Sequence, residues 1–310
     1  MTTDGKGPTL THRLARTLHQ RPWLKILLLL ALPVIWLVGI YGGSLGALLV
    51  QSFYALDTFS GVIGDTFSLD SWRQLFTDAN VAVMVRTVGM AAVVTLASVI
   101  IAFPLAYYMA RYARKQVKAL LVLAVLVPLW SSYLVRVYSW KLILAADGII
   151  NWFVERLGLG RALRWFLDTP VIGGPSLSIS LFGQFVVFVY IWLPYMILPI
   201  HASLERVPRS LLEASADLGA QPNQTFRKVT WPMAIPGVAA GSIFTFSLTL
   251  GDYIIPTIIG DSSPFIGLAI YSYQGVAGNL PLAAAFSFIP IAVMAVYLTA
   301  ARRFGAFEAL

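Results

Sequence analysis

Residues able to carry catalysis are sparse in this chain of 310 residues. The sequence contains no Gly-x-x-x-x-Gly-Lys-Ser/Thr phosphate loop, no His-Glu-x-x-His and no cysteine. Gly42-Gly-Ser44-Leu-Gly46 has the spacing of a hydrolase nucleophile elbow, but that motif requires a strand-to-helix turn and here lies in a long apolar run. Helix-packing glycines around a chance serine are the simpler interpretation. We therefore predict a chain that is not an enzyme and binds no metal or cofactor.

Asp252 is the one carboxylate in the six long apolar stretches of the sequence. A carboxylate in hydrocarbon is costly and normally faces a cavity or a partner. Counting along the fifth stretch places Asp252 about fifteen residues, or roughly 22 Å, from its inner end. Two interpretations stay open. Asp252 forms a cation site on a solute pathway, or it is a structural partner of Arg136, Arg86 or a residue of another chain.

Aromatic residues accompany this carboxylate, and their ring faces can attract an ammonium group. Aromatic belts at the two membrane interfaces explain any single one of them more simply, and that interpretation is preferred for each residue taken alone. Our candidates for a solute pathway are Asp252, Tyr253, Trp192, Tyr195 and Arg136.

The bulk composition indicates which elements must position these residues. The chain is 58% hydrophobic and 12% charged, whereas soluble domains are about 25% charged. A soluble core this apolar could not be covered, so the chain is predicted to be an all-α polytopic membrane protein. Its net charge of +8 comes from short basic segments beside apolar stretches, which argues against a nucleic-acid partner and for a lipid bilayer.

Six transmembrane spans are predicted, and basic residues set their orientation. Fifteen of the 22 Lys and Arg residues fall in four segments that the positive-inside rule assigns to the cytoplasm, including both termini. The predicted organisation is a tail at 1–23, a transmembrane domain at 24–301 and a tail at 302–310. The spans are about 24–51, 81–108, 119–135 with a kink near Pro128, 178–204, 237–259 and 281–301, and a polar loop occupies 205–236.

The polar loop has the pattern of two short helices. Pro208 suits the first position of a helix, and Gly219 suits a left-handed residue after its end. Pro222 can open a second helix, which Trp231-Pro232 is expected to stop. In the first helix Leu211, Leu212, Ser215 and Leu218 recur at helical spacing. With Glu213, Ala214 and the following Gly219, they are the candidate functional residues of this loop.

Glu213-Ala-Ser215, Gly219, Val229 and Pro232 resemble the "EAA" loop of binding-protein-dependent ABC importer permeases. The pattern is Glu-Ala-Ala, three residues, Gly, nine residues, Ile-x-Leu-Pro. Ser215, Val229 and Trp231 depart from it, and a purely structural hairpin is the alternative. The resemblance implies a type I permease fold in a bacterial cytoplasmic membrane, with a coupling helix that docks on a separate ATPase dimer. That dimer would bind ATP and Mg²⁺, and the further implied partners are a second, homologous permease and an extracytoplasmic solute-binding protein.

Two further strings are similar to those of spermidine/putrescine permeases. One is Leu134-x-Arg136-x-Tyr138-x-Trp140, and the other runs from Ser247 to Pro256. They imply polyamine transport, although permeases for ferric iron, thiamine, sulfate or phosphonate share the loop. An ion-coupled secondary transporter is a second class, which predicts midplane charges and an inverted repeat that this sequence does not show. An intramembrane enzyme is a third, and it lacks a catalytic constellation.

Overall fold

The computed structural model of the protein describes residues 22–57, 61–261 and 263–303. Most of the predicted tails, 1–21 and 304–310, lies outside these ranges. The two outermost described residues, Pro22 and Arg303, both belong to helices.

The N-terminal part is one long helix followed by a small hairpin. Helix α1 (Pro22–Val34), a π-helical segment (Ile35–Gly42) and α2 (Gly43–Gln51) follow one another without a break. Strands β1 (Tyr54–Leu56) and β2 (Ile63–Phe67) pair antiparallel, with Tyr54 opposite Phe67. The most apolar window of the first span has no buried residue, so its side chains are free to meet lipid or another protein.

The remaining helices form a bundle with a peripheral layer. In chain order they are α3 (Asp70–Leu75), α4 (Asp78–Arg111), α5 (Lys115–Trp130), α6 (Tyr133–Ile143), α7 (Ile149–Arg156), α8 (Gly160–Leu167), α9 (Leu181–Glu205), α10 (Arg209–Asp217), α11 (Pro222–Thr225), α12 (Trp231–Gly251), α13 (Ile254–Ile258), α14 (Ile266–Gly275) and α15 (Leu280–Arg303). A 3₁₀ turn at Leu177–Ile179 precedes α9, and a π-helical turn at Phe226–Thr230 precedes α12.

Helices α4, α9 and α12 form the centre of the bundle, and two glycines bring α12 close to α9. A Cβ atom at Gly237 would lie 2.5 Å from the Pro199 carbonyl oxygen, and one at Gly241 would lie 2.7 Å from the Met196 sulfur. Glycine is therefore required at both contacts. Close approach through small residues is how membrane helices gain packing energy where lipid supplies no hydrophobic drive.

Within the described ranges, five helices are long and apolar enough to cross a membrane, and a bent pair of helices makes a sixth span possible. The pair is α5 and α6, which meet at a bend of 98°. The third span, predicted to run to residue 135 with a kink near Pro128, is therefore an unbroken helix only as far as Trp130, and the chain bends there. Ser131 closes it by bonding the Pro128 carbonyl through its backbone N–H and through Oγ, at 3.3 and 2.8 Å.

The prediction that Trp231-Pro232 stops a helix is wrong, since the chain is helical from Pro222 to Gly251. The N–H of Trp231 bonds the carbonyl of Phe226, five residues back, which is the π-helical pattern. This wider turn precedes Pro232 and lets the proline, which has no N–H, enter the first turn of α12. The helix then ends at Gly251 rather than at residue 259, because Asp252 is extended with ψ at 133°.

Candidate functional site

Helix α10 stands between two turns that limit its length. Pro208, with ψ at 142°, lies just before the helix rather than at its first position. Gly219 has φ at +76°, as the sequence predicts for the residue that ends the helix. The N–H of Ala220 then bonds the Ser215 carbonyl at 3.0 Å and caps the last turn. The result is a nine-residue helix of fixed length.

One side of α10 faces the protein and the other faces outward. Leu212 and Ser215 are half-buried, and Ser215 Oγ lies 2.8 Å from Thr225 Oγ1, which ties α10 to α11. The outward side consists of Leu211, Glu213, Ala214, Leu218 and Gly219, all exposed. The side chain of Leu218 is 87% exposed. Leu211 and Leu218 thus give this short polar loop two exposed apolar side chains.

Polar contacts hold the start of this loop to the α4–α5 turn. Both terminal nitrogens of Arg111 donate to the Val207 carbonyl oxygen at 3.3 Å. Lys118, in the first turn of α5, forms an ion pair with Glu205 at the end of α9. The base of the loop is therefore connected to the helices that surround it.

Aromatic packing holds the other end of the loop. Phe226 and Trp231 pack on Phe103 of α4 with ring centroids 5.9 and 5.1 Å apart, and Phe226 also meets Tyr107 edge-on at 5.8 Å. Trp231, the departure from the family pattern that could change local packing, thus fills a place in an aromatic cluster. It strengthens the attachment of the loop.

Asp252 lies at the break between α12 and α13. Its Oδ1 accepts the backbone N–H groups of Ile254 and Ile255 at 2.8 and 3.0 Å, and its Oδ2 accepts the hydroxyl of Tyr133. The carboxylate therefore caps α13 and binds α6. Within the described ranges it forms no ion pair with Arg136 or Arg86. Arg86 donates to the Pro264 carbonyl instead, at 3.4 Å.

Tyr133 is the functional residue that sequence reasoning did not connect to Asp252. Its ring stacks on Trp192 with centroids 5.7 Å apart and planes 19° apart, and Trp192 meets Tyr195 at 5.9 Å. The guanidinium of Arg136 lies 6.0 Å from the Tyr133 ring centroid. Four of the predicted pathway residues therefore belong to one connected cluster, with Tyr133 at its centre.

Tyr253, the fifth predicted pathway residue, points elsewhere and stacks on Tyr271 at 5.1 Å. It nevertheless lines, with Asp252 and Trp192, an open cavity of about 310 Å³ whose other walls are Ser247, Leu248, Gly251 and Ile254. Tyr195 and Arg136 are not part of this lining. The cavity offers one carboxylate and aromatic surface to a small solute. Among the described residues no group of three His, Asp or Glu side chains is placed to hold a metal ion.

Membrane-length helices, a broken span and an exposed short helix between α9 and α12 define a polytopic permease of the type I ABC importer class. Residues 102–306 match the family described as "Binding-protein-dependent transport system inner membrane component", and the chain belongs to this family. The chain is therefore a transport subunit of the bacterial inner membrane rather than an enzyme.

Relatives and solved structures agree with this assignment. The chain is 53% identical to "Inner membrane ABC transporter permease protein YdcU" of Escherichia coli K12, over 93% of this chain and 92% of that protein. It is 32% identical to "Spermidine/putrescine transport system permease protein PotB" of the same organism, over 63% of this chain and 66% of that protein. A bacterial ABC transporter that imports alginate has the same fold, with a TM-score of 0.68 and 17% identity over 94% of this chain and 99% of that one.

Proposed function

We propose that this chain forms half of the translocation pathway of an ATP-driven polyamine importer, and that α10 is its coupling helix. Its partners in this proposal are an ATPase dimer, which binds ATP and Mg²⁺, a second homologous permease and an extracytoplasmic solute-binding protein. The related alginate transporter has been solved in complex with a solute-bound periplasmic protein, which supports the last of these partners.

The outward side of α10 supports the coupling role. It presents Leu218, which is 87% exposed, together with the exposed Glu213 carboxylate, and the helix is held at both ends. A rigidly attached helix transmits displacement to its supports, whereas a flexible loop absorbs it. Arg111 and Lys118 connect the loop to α4 and α5, so motion of an ATPase docked on α10 would be passed to membrane-spanning helices.

The Asp252 cluster is the observation that carries the polyamine assignment. A polyamine presents ammonium groups on a flexible apolar chain, which require a carboxylate and ring faces. Asp252, Trp192 and Tyr253 supply these groups around one cavity. The 32% identity to a spermidine/putrescine permease supports the same solute class.

Uptake by the complete complex in proteoliposomes tests the proposal. Labelled putrescine and spermidine should accumulate only when ATP and the solute-binding protein are both present. Vesicles that lack the ATPase are the control for leakage. Absence of polyamine uptake by an assembled complex that hydrolyses ATP would reject the solute, whereas uptake without the ATPase would reject the coupled machine.

An oxyanion is the second candidate solute, because Arg136 lies beside the same aromatic cluster. Its Nε is buried and has no hydrogen-bond partner in the described structure. The chain is also 29% identical to "Molybdenum transport system permease protein ModB" of Mycobacterium bovis, over 68% of this chain and 70% of that protein. Competition by molybdate or sulfate that disappears in Arg136→Gln would favour this alternative.

A further inference from the structure

An open groove lined by two arginines lies between α7 and α8. It is separate from the coupling loop, the polar loop at 205–236. Its volume is about 1010 Å³, and its walls include Arg161, Arg164 and Trp165 of α8 and Glu155 of α7. Neither guanidinium group forms an ion pair or a hydrogen bond among the residues that the structure describes. The groove therefore presents two free guanidinium groups and one carboxylate to its surroundings.

Helix α8 is attached to the bundle by the opposite side. Leu163 and Leu167 pack on the central hydrophobic core, and the ring of Phe166 meets that of Phe182 at 4.9 Å. Arg161, Arg164 and Trp165 consequently share the outward side, where Trp165 is 76% exposed. The basic side chains and the exposed Trp165 ring therefore lie together on the surface of α8 that faces away from the bundle.

The outward apolar surface continues along the two preceding helices. On α6 the exposed residues are Val135, Tyr138 and Leu142, one helical turn apart, and Leu142 is 72% exposed. On α7 they are Ile149, Trp152 and Phe153. Helix α6 turns by 98° from α5, so it runs across the axis of α5 at the end where α5 finishes. On the predicted topology this end is the outer one.

We propose that α6, α7 and α8 lie in the outer membrane interface, and that Arg161 and Arg164 bind the phosphate of a phospholipid headgroup. The guanidinium fork matches phosphate oxygens in geometry and charge. Trp165 at the rim of the groove lies where an amphipathic ring is favoured, at headgroup level. The aliphatic side of α6 and α7 meets the upper part of the acyl chains.

A phospholipid fits this surface better than a soluble protein does. Surfaces that bind a transient protein partner are about as apolar as the rest of a protein surface. Here large apolar side chains are exposed on all three successive helices, and the charged side chains Lys141, Glu155, Arg156, Arg161 and Arg164 are exposed beside them. An interface this apolar would be a hazard in water but is stable against lipid.

A single fluorophore beside the arginines tests the membrane contact. The chain has no cysteine, so Ala162→Cys in the full chain carries the only label in this subunit. Ala162 is exposed and lines the groove, and its replacement leaves Arg161, Arg164 and Trp165 in place. A label at Gln221→Cys, an exposed position in the coupling loop, is the aqueous control.

In nanodiscs, lipids that carry a nitroxide near the headgroup should quench the label at position 162, and iodide in the buffer should not reach it. The label at position 221 should be quenched by iodide and not by the nitroxide-labelled lipids. Equal iodide access at both positions would overturn the proposal. Shielding that appears only when the solute-binding protein is added would also overturn it, and would identify a protein-docking surface.

The arginine pair is tested by titrating nitroxide-labelled phosphatidylglycerol into phosphatidylcholine discs. Arg161→Gln/Arg164→Gln should raise the lipid fraction needed for half-quenching on the order of tenfold, since each basic residue near a membrane contributes several-fold in affinity. The matched control is Arg227→Gln/Lys228→Gln, an exposed basic pair in the coupling loop, which should leave the titration unchanged. An unchanged titration in the Arg161/Arg164 variant would refute the headgroup assignment.

Discussion

Replacing Asp252 separates its possible charge role from its structural role. Asp252→Asn removes the charge but keeps an Oδ1 atom that can accept the N–H groups of Ile254 and Ile255, so the cap of α13 survives. Asp252→Ala removes the charge and the cap together, and loss of an N-terminal cap costs about 0.5–2 kcal/mol of stability. The two variants therefore differ in stability but share the loss of charge.

The expected loss of uptake follows from the electrostatics of the cavity. With an effective dielectric constant of about 20, a contact between a carboxylate and an ammonium group at 4 Å is worth up to about 4 kcal/mol before desolvation. Desolvation reduces the net loss in Asp252→Asn to about 1–2 kcal/mol, which corresponds to a decrease of about five- to thirtyfold in uptake efficiency. Tyr133→Phe keeps the stack on Trp192 but removes the hydroxyl donor, and should cost about 1–2 kcal/mol of stability.

The assay is uptake of labelled putrescine and spermidine by the complete complex at matched membrane levels, with thermal stability measured in parallel. Asp261→Asn is the control, because Asp261 is an exposed carboxylate on the outer loop whose oxygens bond only Ser263 among the described residues. If Asp252→Asn and Asp252→Ala both transport normally, the cation-site reasoning is refuted. If Asp252→Asn loses stability as much as Asp252→Ala and uptake falls in proportion, the residue is structural only.

Four further predictions concern other parts of the chain. Glu213→Arg should leave membrane insertion intact but abolish uptake and uncouple ATP hydrolysis. The control Asn223→Arg, on the neighbouring helix, should leave uptake and coupling normal. Solute-stimulated ATPase activity of reconstituted complexes measures both variants, and normal coupling in Glu213→Arg would contradict the prediction. Gly237→Ala should destabilise the bundle by about 1–3 kcal/mol, because the new Cβ would lie 2.5 Å from the Pro199 carbonyl oxygen. Gly89→Ala, where a Cβ would meet no atom within 4 Å, should leave stability unchanged or raise it. Denaturation in detergent compares the two variants. Reporter fusions after Lys115, after Arg206 and at the C-terminus should report the cytoplasm. Fusions near Asp65 and Asp168 should report the outside. An outside signal at Arg206 would place α10 out of reach of a cytoplasmic ATPase and contradict the prediction. Arg136→Gln should not restore the stability of Asp252→Asn, because no ion pair joins the two residues in the described structure; recovery in the double variant would show that they are coupled.

Local sequence was enough to predict helix α10 and its end. Gly219 adopts the left-handed conformation expected from its position, because glycine lacks the Cβ that penalises it. The family resemblance rests on the same residues, which are neighbours in the chain. Features determined within one or two helical turns are therefore readable from sequence.

Features that depend on distant parts of the chain were not readable in this way. The partner of Asp252 is Tyr133, separated from it by 119 residues, and nothing in either local sequence connects them. The stop expected at Trp231-Pro232 failed because a π-helical turn, stabilised by rings from α4, lets the helix continue. The helix break after Trp130 depends on the hydrogen bonds from Ser131 to the Pro128 carbonyl, which hydropathy cannot detect.

The two attachments of the coupling loop respond differently to the solvent. Its first end is held by charged groups, with Lys118 and Glu205 both partly exposed, so dissolved salt weakens that attachment. Its second end is held by stacked rings, which added salt does not screen. High ionic strength therefore weakens the Lys118–Glu205 ion pair, whereas the hydrogen bonds from Arg111 to the Val207 carbonyl and the aromatic packing stay in place. We expect the link from α10 to α5 to depend on ionic strength and the links from α10 to α4 to persist.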